Sequence, residues 1–167
     1  MASGSSPRTA FKRLLKELEA WKIEAEEETG IERLGPPKDD DLLTWEAVIN
    51  GRGVGSGYDE GRWLLHIEIP PSYPLQAPKV EFVTPIVHPN VSLTSGEICL
   101  DLFKDAWSPA FSILEAVRAV RMLLSYPDTD SPLNVDFAAL MRSGDLVGCQ
   151  ALVELWCRGG EGRYDGP

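Results

Sequence analysis

Four consecutive short stretches rich in β-branched and aromatic residues constrain the fold of this chain most. Glycine or proline separates the stretches, and no helical pattern lies between them. Strands that follow one another in this way pair antiparallel, and helices must cover one face of the resulting sheet. The sequence therefore predicts an α+β fold with a four-stranded antiparallel meander, its strands spanning residues 31–34, 43–50, 62–69 and 79–83.

Helical patterns precede and follow these strands. Ser6 and Pro7 can begin an N-terminal helix as N-cap and first-turn proline. Apolar residues then recur at helical spacing, which predicts about five turns ending near Gly30; they are Phe11, Leu14, Leu15, Leu18, Trp21 and Ala25. A central helix is expected over 113–124, and C-terminal helices over 136–141 and 145–156.

The length and composition predict one compact domain. The chain has 167 residues, 43% of them hydrophobic, which is enough for one sizeable core and too short for two ordinary domains. We expect a single domain over 1–167, with flexible tails at 1–6 and 159–167. No stretch approaches the 18 or so apolar residues of a membrane span, so we expect a cytoplasmic protein without direct membrane insertion.

Charge and cysteine content narrow the function further. A net charge of −10 leaves no broad basic surface for phosphates, which argues against nucleic acid as a partner. Three cysteines without CxxC spacing argue against a disulfide framework and against zinc, so no metal is expected. A basic cluster near the N-terminus is either a solvated helix face or a docking surface for an acidic partner; it comprises Arg8, Lys12, Arg13 and Lys16.

Residues 84–112 show no periodicity and yet contain many large apolar side chains. A long irregular segment in a small domain is typically functional or disordered, and the apolar content argues against disorder. Three motifs lie within it, in this order: His88-Pro89-Asn90, Gly96-Glu97-Ile98-Cys99-Leu100-Asp101 and Trp107-Ser108-Pro109. We therefore expect the functional site in this segment.

These motifs, HPN, GxICLD and WSP, resemble the catalytic signature of ubiquitin-conjugating enzymes. The resemblance covers about 150 residues and includes the upstream segment 73–80, which is similar to the family's YPxxPPxV. It implies that Cys99 carries ubiquitin as a thioester received from the activating enzyme. ATP is consumed by that enzyme, so no cofactor is implied here.

The resemblance assigns supporting roles around Cys99. Asn90 can donate a hydrogen bond to the oxyanion that forms when a nucleophile attacks the thioester, or it can simply hold the loop; the two roles are compatible. Removing such a donor typically costs about 3 to 4 kcal/mol, roughly a hundred- to a thousandfold in transfer. His88 is structural in the family pattern rather than a base, and the active-site loop is further supported by Pro89, Asp101 and Trp107.

Ser131 departs from the commoner family pattern. Many relatives have an aspartate here, which helps to orient or deprotonate an incoming lysine. A serine cannot act as a base at neutral pH, and the neighbouring Asp130 need not point toward the acceptor. Ser131 is therefore either a gate for the acceptor or a turn residue.

Docking surfaces follow from the same resemblance. The first helix of the family contacts the activating enzyme, which makes Arg8, Lys12, Arg13 and Lys16 candidate contacts. A RING-type ligase would meet Leu75 in the upstream segment, and Pro109 with Ala110 in the WSP segment. Leu75 stands where the most promiscuous members have phenylalanine, and this predicts a narrower choice of ligases.

Two stretches in the C-terminal third, 130–134 and 140–145, resemble the peroxisomal ubiquitin-conjugating enzymes. This branch implies action on the cycling peroxisomal import receptor, at the cytosolic face of the peroxisomal membrane, with a membrane-anchored peroxin as tether. It also suggests a reason for Ser131, because a cysteine acceptor has a pKa of about 8.5 against about 10.4 for lysine and needs less help from a carboxylate. Alternatives are a general cytosolic ubiquitin-conjugating enzyme and a non-catalytic ubiquitin-binding ligase scaffold.

A cysteine protease is the rival enzyme class. It would need a histidine to activate Cys99, and only His66 and His88 are present, without an obvious orienting partner. Cys149 and Cys157 are expected to be buried helix residues.

Overall fold

A computed structural model describes residues 7–167. The N-terminal tail expected at 1–6, including the N-cap expected at Ser6, lies outside the described residues. Within the described chain, helices and strands follow the order α1 (Pro7–Glu24), β1 (Ile31–Gly35), β2 (Thr44–Asn50), β3 (Arg62–Glu68), β4 (Lys79–Phe82), α2 (Ile113–Leu123), α3 (Val135–Arg142) and α4 (Leu146–Cys157). Short 3-10 turns span Asp101–Phe103 and Gly160–Gly162.

The four strands form one sheet in the order β1-β2-β3-β4, and every neighbouring pair is antiparallel. This confirms the predicted meander. The predicted α+β architecture, with one helix before the sheet and the others after it, is confirmed as well. Strand limits agree with the predicted ranges to within one residue, because the alternation of buried and exposed side chains that defines a strand is local in sequence.

One face of the sheet forms the core. Along β3, the side chains of Trp63, Leu65 and Ile67 are fully buried and alternate with partly exposed neighbours. They lie beside the buried β2 residues Ile49, Ala47 and Trp45, respectively. Burying each large apolar side chain is worth about 1.5–3 kcal/mol, so this face provides much of the driving force for folding.

The first helix ends earlier than predicted. It was expected to continue to near Gly30, but α1 ends at Glu24. Beyond it, the N–H of Ala25 donates to the carbonyl of Trp21, and those of Glu27 and Glu28 donate to the carbonyl of Glu24. The carboxylates of residues 24 and 26–28 would lie at the negative end of the helix dipole, where anions are unfavourable. Some of this charge is offset by Arg118 of α2, which binds Glu24 and Glu28 at 2.9 and 3.1 Å.

The segment 159–167, expected to be a flexible tail, contacts the sheet instead. The backbone N–H of Tyr164 donates to the carbonyl of Arg62, and the Arg62 guanidinium donates to the carbonyls of Tyr164 and Gly166. The guanidinium also lies 5.2 Å from the centroid of the Tyr164 ring. The glycine-rich composition of the segment predicted mobility. It gave no sign of these contacts, because Arg62 lies about 100 positions earlier in the chain.

Candidate active site

Cys99 lies at the end of a tight turn that follows β4. Residues 92–97 form this turn, and an isolated antiparallel bridge joins Val91 to Ile98 at its base. Gly96 has a φ of +74°, and a Cβ there would collide with the carbonyl oxygen of Phe82. Only glycine fits so close to the strand, and the backbone N–H of Phe82 donates to the Gly96 carbonyl at 2.9 Å. The turn is thereby fixed to the sheet, and it places Cys99 just beyond the bridge.

The Cys99 thiol differs from the two other thiols in its accessibility. Cys99 is partly exposed, whereas Cys149 and Cys157 are buried in α4, as predicted. Burial raises the pKa of the Cys149 thiol, and it raises the pKa of the Cys157 thiol to about 11. Since the thiolate is the reactive form, these two residues are poor nucleophiles at neutral pH. Cys99 is the thiol that a macromolecular partner can reach.

Asn90 connects the cysteine to a second loop. The residue is 1% exposed; its side-chain Nδ2 donates to the carbonyl of Asp128 at 2.7 Å, and Oδ1 accepts from the Asp128 N–H at 2.8 Å. The backbone carbonyl of Asn90 accepts the N–H of Cys99 at 2.9 Å. An amide nitrogen carries two hydrogens, so one remains after the bond to Asp128. The loop-holding function expected for Asn90 is thus present in the geometry, and a donor is left over.

His88 is completely buried, and both of its ring nitrogens are engaged. Nδ1 accepts the backbone N–H of Asn90 at 3.1 Å, and Nε2 lies 3.0 Å from the carbonyl of Leu123, to which it donates. Burial lowers the pKa of His88 to about 4, because a charged imidazolium is costly away from water. A neutral ring with both nitrogens occupied holds the loop and is unsuited to act as a base. His66 lies within β3, opposite Glu46 and Glu81.

Ser131 is exposed in the connection between α2 and α3. The connection is attached to the His88–Asn90 loop at two places. One is the Asn90–Asp128 pair, and the other is the carbonyl of Pro89, which accepts from the N–H groups of Leu133 and Asn134 at 2.9 and 3.0 Å. Ser131 therefore lies between two anchored points, in a loop that borders the active-site loop.

The other two residues predicted to support the active-site loop, Asp101 and Trp107, follow Cys99 in the chain. Asp101 begins the 3-10 turn, and its carbonyl accepts from the N–H groups of Lys104 and Ala106. The indole N–H of Trp107 donates to the carbonyl of Pro74 at 2.9 Å, and its ring packs near those of Tyr73 and Phe111. Trp107 thereby joins the two segments in which ligase contacts were predicted. Leu75, Pro109 and Ala110 are exposed on them.

The four basic residues of α1 do not share one environment. Arg8, Lys12 and Lys16 are exposed, whereas Arg13 is partly buried. The Arg13 guanidinium donates to the carbonyls of Pro109 and Phe111, both at 2.9 Å. The structure therefore places three of the predicted docking residues toward solvent and turns the fourth toward the WSP segment.

Sequence reasoning missed two groups that shape this region. One is the Asp128 backbone, whose pairing with Asn90 leaves no local pattern. The other is a polar cluster of Glu17, Tyr73 and Arg13 beneath the predicted ligase loops. A signal for it was available, since Arg13 and Glu17 lie four residues apart, each beside an apolar core position of α1.

Comparison with known proteins decides the family. The sequence pattern of the ubiquitin-conjugating enzymes matches residues 13–147. The chain belongs to the ubiquitin-conjugating enzyme family. Members are transferases that form a thioester intermediate and work with ubiquitin and its activating enzyme.

Similar proteins include several peroxins. "Ubiquitin-conjugating enzyme E2 PEX4" of Gibberella zeae is 66% identical over 165 residues, covering 99% of this chain and 96% of the relative. "Protein PEROXIN-4" of Arabidopsis thaliana is 42% identical over 120 residues, covering 72% and 76%. The crystal structure of H. polymorpha Pex4p, solved in complex with the soluble domain of Pex22p, matches with a TM-score of 0.82 at 36% identity, covering 87% of this chain and 94% of that one.

These relatives confirm the resemblance to the peroxisomal branch, and this ubiquitin-conjugating enzyme is of the Pex4 type. Within residues 7–167, no group of three or more His, Cys, Asp or Glu side chains is arranged to hold a metal ion. No helix in the same range combines the length and apolar character that a membrane span requires.

Proposed function

We propose that Cys99 carries ubiquitin as a thioester and, with a RING-type ligase, passes it to the peroxisomal import receptor. The observation that carries this proposal is the pairing of a partly exposed Cys99 with a buried Asn90, joined through the bond from Cys99 N–H to the Asn90 carbonyl. Arg8, Lys12 and Lys16 are the candidate contacts for the activating enzyme. Leu75, Pro109 and Ala110 are the candidate contacts for the ligase.

Two acyl transfers make up the reaction. In the first, the Cys99 thiolate attacks the thioester between ubiquitin and the activating enzyme, and the cysteine thiolate of that enzyme leaves. In the second, an acceptor nucleophile attacks the new thioester carbonyl and the Cys99 thiolate leaves. Negative charge develops on the carbonyl oxygen in both additions, and the free N–H of Asn90 is the donor proposed to stabilise it. His88 has no part in proton transfer, because its pKa is low and its nitrogens are occupied.

The geometry also weighs against the two rival classes. A cysteine protease requires a histidine that takes the thiol proton, and His88 is committed to Asn90 and Leu123. A non-catalytic scaffold has no need of an accessible cysteine beside a fixed amide donor. Both features support the carrier function.

A charging assay tests the proposal. The enzyme is incubated with ubiquitin, ATP and activating enzyme, and the products are separated on a non-reducing gel. We expect a thiol-sensitive adduct that disappears in Cys99→Ser or becomes a thiol-resistant ester there. Cys149→Ser is the matched control and should charge normally, because its thiol is buried. A thiol-sensitive adduct that persists in Cys99→Ser would contradict the proposal.

The peroxisomal part is tested separately. The relative Pex4p was solved with the soluble domain of Pex22p, and we propose that a membrane-anchored peroxin of this kind tethers the present enzyme at the cytosolic face of the peroxisome. The soluble domain of a Pex22-type peroxin should co-purify with this protein. In cells that lack the enzyme, the import receptor should lose its ubiquitin. A receptor that remains fully modified would favour a general cytosolic role.

A further inference from the structure

Helix α1 presents two kinds of charged side chain. The outward residues Arg8, Lys12 and Lys16 are exposed, whereas Arg13 and Glu17 are partly buried between α1 and the loops that precede and follow the active site. Arg13 Nε and Glu17 Oε1 are 3.9 Å apart. Surface pairs of this type contribute little by themselves, so their other contacts must explain why they are turned inward.

The Arg13 side chain binds backbone carbonyls of the WSP segment. One guanidinium nitrogen donates to the carbonyl of Pro109 and the other to the carbonyl of Phe111, both at 2.9 Å. The guanidinium carbon also lies 5.8 Å from the centroid of the Tyr73 ring. A planar fork can serve two carbonyls and an aromatic face together, which a lysine ammonium cannot reproduce.

Glu17 holds both segments at once. Its carboxylate accepts the Tyr73 hydroxyl at 2.8 and 2.9 Å, and Oε1 accepts the N–H of Ile113, the first residue of α2, at 2.9 Å. A carboxylate is favourable at a helix N-terminus. Burial nevertheless raises the pKa of the Glu17 carboxyl, because the charged form is costly away from water.

Trp107 completes the connection, since its indole N–H donates to the carbonyl of Pro74 at 2.9 Å. The exposed Leu75 follows Pro74 directly. The exposed Ala110 lies between Pro109 and Phe111, whose carbonyls both accept from Arg13. Each candidate ligase contact is therefore within two residues of a backbone carbonyl that Arg13 or Trp107 binds.

We propose that Arg13, Glu17 and Tyr73 are positioning residues that hold the two ligase-binding loops in the arrangement a RING-type ligase recognises. This inference rests on the proposed function, which places the ligase at Leu75, Pro109 and Ala110. A surface held in its bound arrangement loses less conformational freedom on association, so releasing the loops weakens ligase binding without altering the chemistry at Cys99. The cluster thus acts on affinity for the ligase.

The test compares Glu17→Ala and the milder Tyr73→Phe with two controls. Glu19→Ala removes a carboxylate from an exposed position of the same helix, where its hydrogen-bond partner within residues 7–167 is Lys22. Leu75→Ala removes a side chain proposed to contact the ligase directly. Each variant is charged with ubiquitin, and thioester discharge is measured against increasing concentrations of a RING domain that stimulates the unmodified enzyme.

In Glu17→Ala the half-saturating ligase concentration should rise about tenfold, and in Tyr73→Phe about threefold, the size expected for losing charge-assisted and single hydrogen bonds. The maximal rate, the charging rate and discharge without ligase should stay within about twofold of the unmodified enzyme. Glu19→Ala should match the unmodified enzyme throughout. The backbone N–H groups of Ser108, Ala110 and Phe111 should exchange hydrogen faster in Glu17→Ala and in Tyr73→Phe.

The outcomes separate the two ideas. If Leu75→Ala raises the half-saturating concentration and the Glu17 and Tyr73 variants do not, the positioning inference is overturned and the proposed ligase surface stands. If Leu75→Ala has no effect, the proposed ligase surface fails, and the inference fails with it. An equal loss of charging and of ligase response in Glu17→Ala would indicate general misfolding, and Tyr73→Phe, which removes one hydroxyl, then decides.

Discussion

The two loops that the Asn90 amide joins beside Cys99 differ in nearly every physical respect. The inner loop, residues 88–90, is buried throughout, and its polar groups bind Leu123, Asp128 and the cysteine backbone. The outer loop, residues 128–131, is largely exposed, and the Ser131 side chain makes no hydrogen bond within the described residues. The Asn90 amide joins the two directly, and the Pro89 carbonyl binds the N–H groups of Leu133 and Asn134 just beyond the outer loop.

This difference suggests a division of labour. The transition-state donor must be held rigidly, because an oriented dipole stabilises charge only if it need not reorganise during the reaction. The acceptor must enter from solvent, so the residue that meets it belongs on an exposed loop. The inner loop would then set how fast the thioester reacts, and the outer loop which nucleophile it prefers.

The largest expected effect comes from removing the group that joins the loops. Asn90→Ala should slow discharge of preformed thioester roughly a hundred- to a thousandfold, since it removes both the proposed oxyanion donor and the link to Asp128. Single-turnover discharge to a free thiol or amine, measured after charging is stopped, gives the rate directly.

Asn50→Ala is the matched control. Asn50, the last residue of β2, is also buried, at 2% exposure. Its side-chain amide donates to the Thr29 carbonyl and to the Glu32 carboxylate. Asn50→Ala should lower the free energy of unfolding about as much as Asn90→Ala does. Its discharge rate should stay within a few fold of that of the unmodified enzyme. If Asn50→Ala slowed discharge as much as Asn90→Ala, the loss would reflect general instability, and the donor role would be excluded.

A second, smaller effect concerns stability and pH. His88 has a folded pKa of about 4 against 6.5 for a free histidine, so the unfolded chain binds a proton first as pH falls. The stability that this residue provides is complete above about pH 6.5 and is lost progressively toward pH 4. Between pH 7.5 and pH 5, His88 should account for about 2 kcal/mol of the fall in unfolding free energy.

Chemical denaturation at both pH values gives the fall in unfolding free energy for the unmodified enzyme and for His88→Gln. The difference between the two falls is the contribution of His88. Tyr58→Phe is the control, because it removes the bond from the Tyr58 hydroxyl to the carbonyl of Val87, beside His88, and leaves the imidazole in place. It should be less stable at both pH values with an unchanged pH dependence. A His88→Gln variant with the same pH dependence as the unmodified enzyme would refute the buried neutral imidazole.

The sequence predicted elements whose pattern is local and missed contacts that are not. The four strands and α2 were placed nearly to the residue, because alternation and helical spacing are written in consecutive positions. The capping box at Ser112 and Glu115 was not predicted, although its signal also lies within four residues. By contrast, the contact of Arg13 with Pro109 spans 96 positions and that of Arg62 with Gly166 spans 104, and no local pattern encodes either.

The same distinction holds within the candidate site. Cys99 and Asn90 could be named as candidates from motifs with a fixed order and spacing. The partner of the Asn90 amide could not, since Asp128 contributes only backbone groups and any residue type could supply them. Arg13 was grouped with three exposed basic residues because charge spacing on a helix gives no indication of which side chain a distant loop will cover.

The smallest expected effect is at Ser131, and it tests the outer loop alone. Ser131→Asp introduces a carboxylate that can orient or deprotonate a lysine, and we expect discharge to free lysine to rise a few fold, equivalent to about 1 kcal/mol. Discharge to free cysteine should hardly change, because at neutral pH roughly a hundredfold more of that nucleophile is already deprotonated. Ser131→Asn is the matched variant of similar size without a charge, and it should gain nothing toward lysine.

The pH dependence makes this comparison sharper. The advantage of Ser131→Asp over the unmodified enzyme should be greatest near neutral pH and shrink as pH approaches the lysine pKa of about 10.4, where the acceptor needs no help. Asp130→Asn tests whether the carboxylate of the neighbouring Asp130 helps lysine discharge. The backbone N–H of Asp130 donates to the Asp128 side chain at 2.9 Å. If Ser131→Asp gained nothing and Asp130→Asn lost lysine discharge, Asp130 would already supply the carboxylate, and the outer loop would not favour cysteine through Ser131.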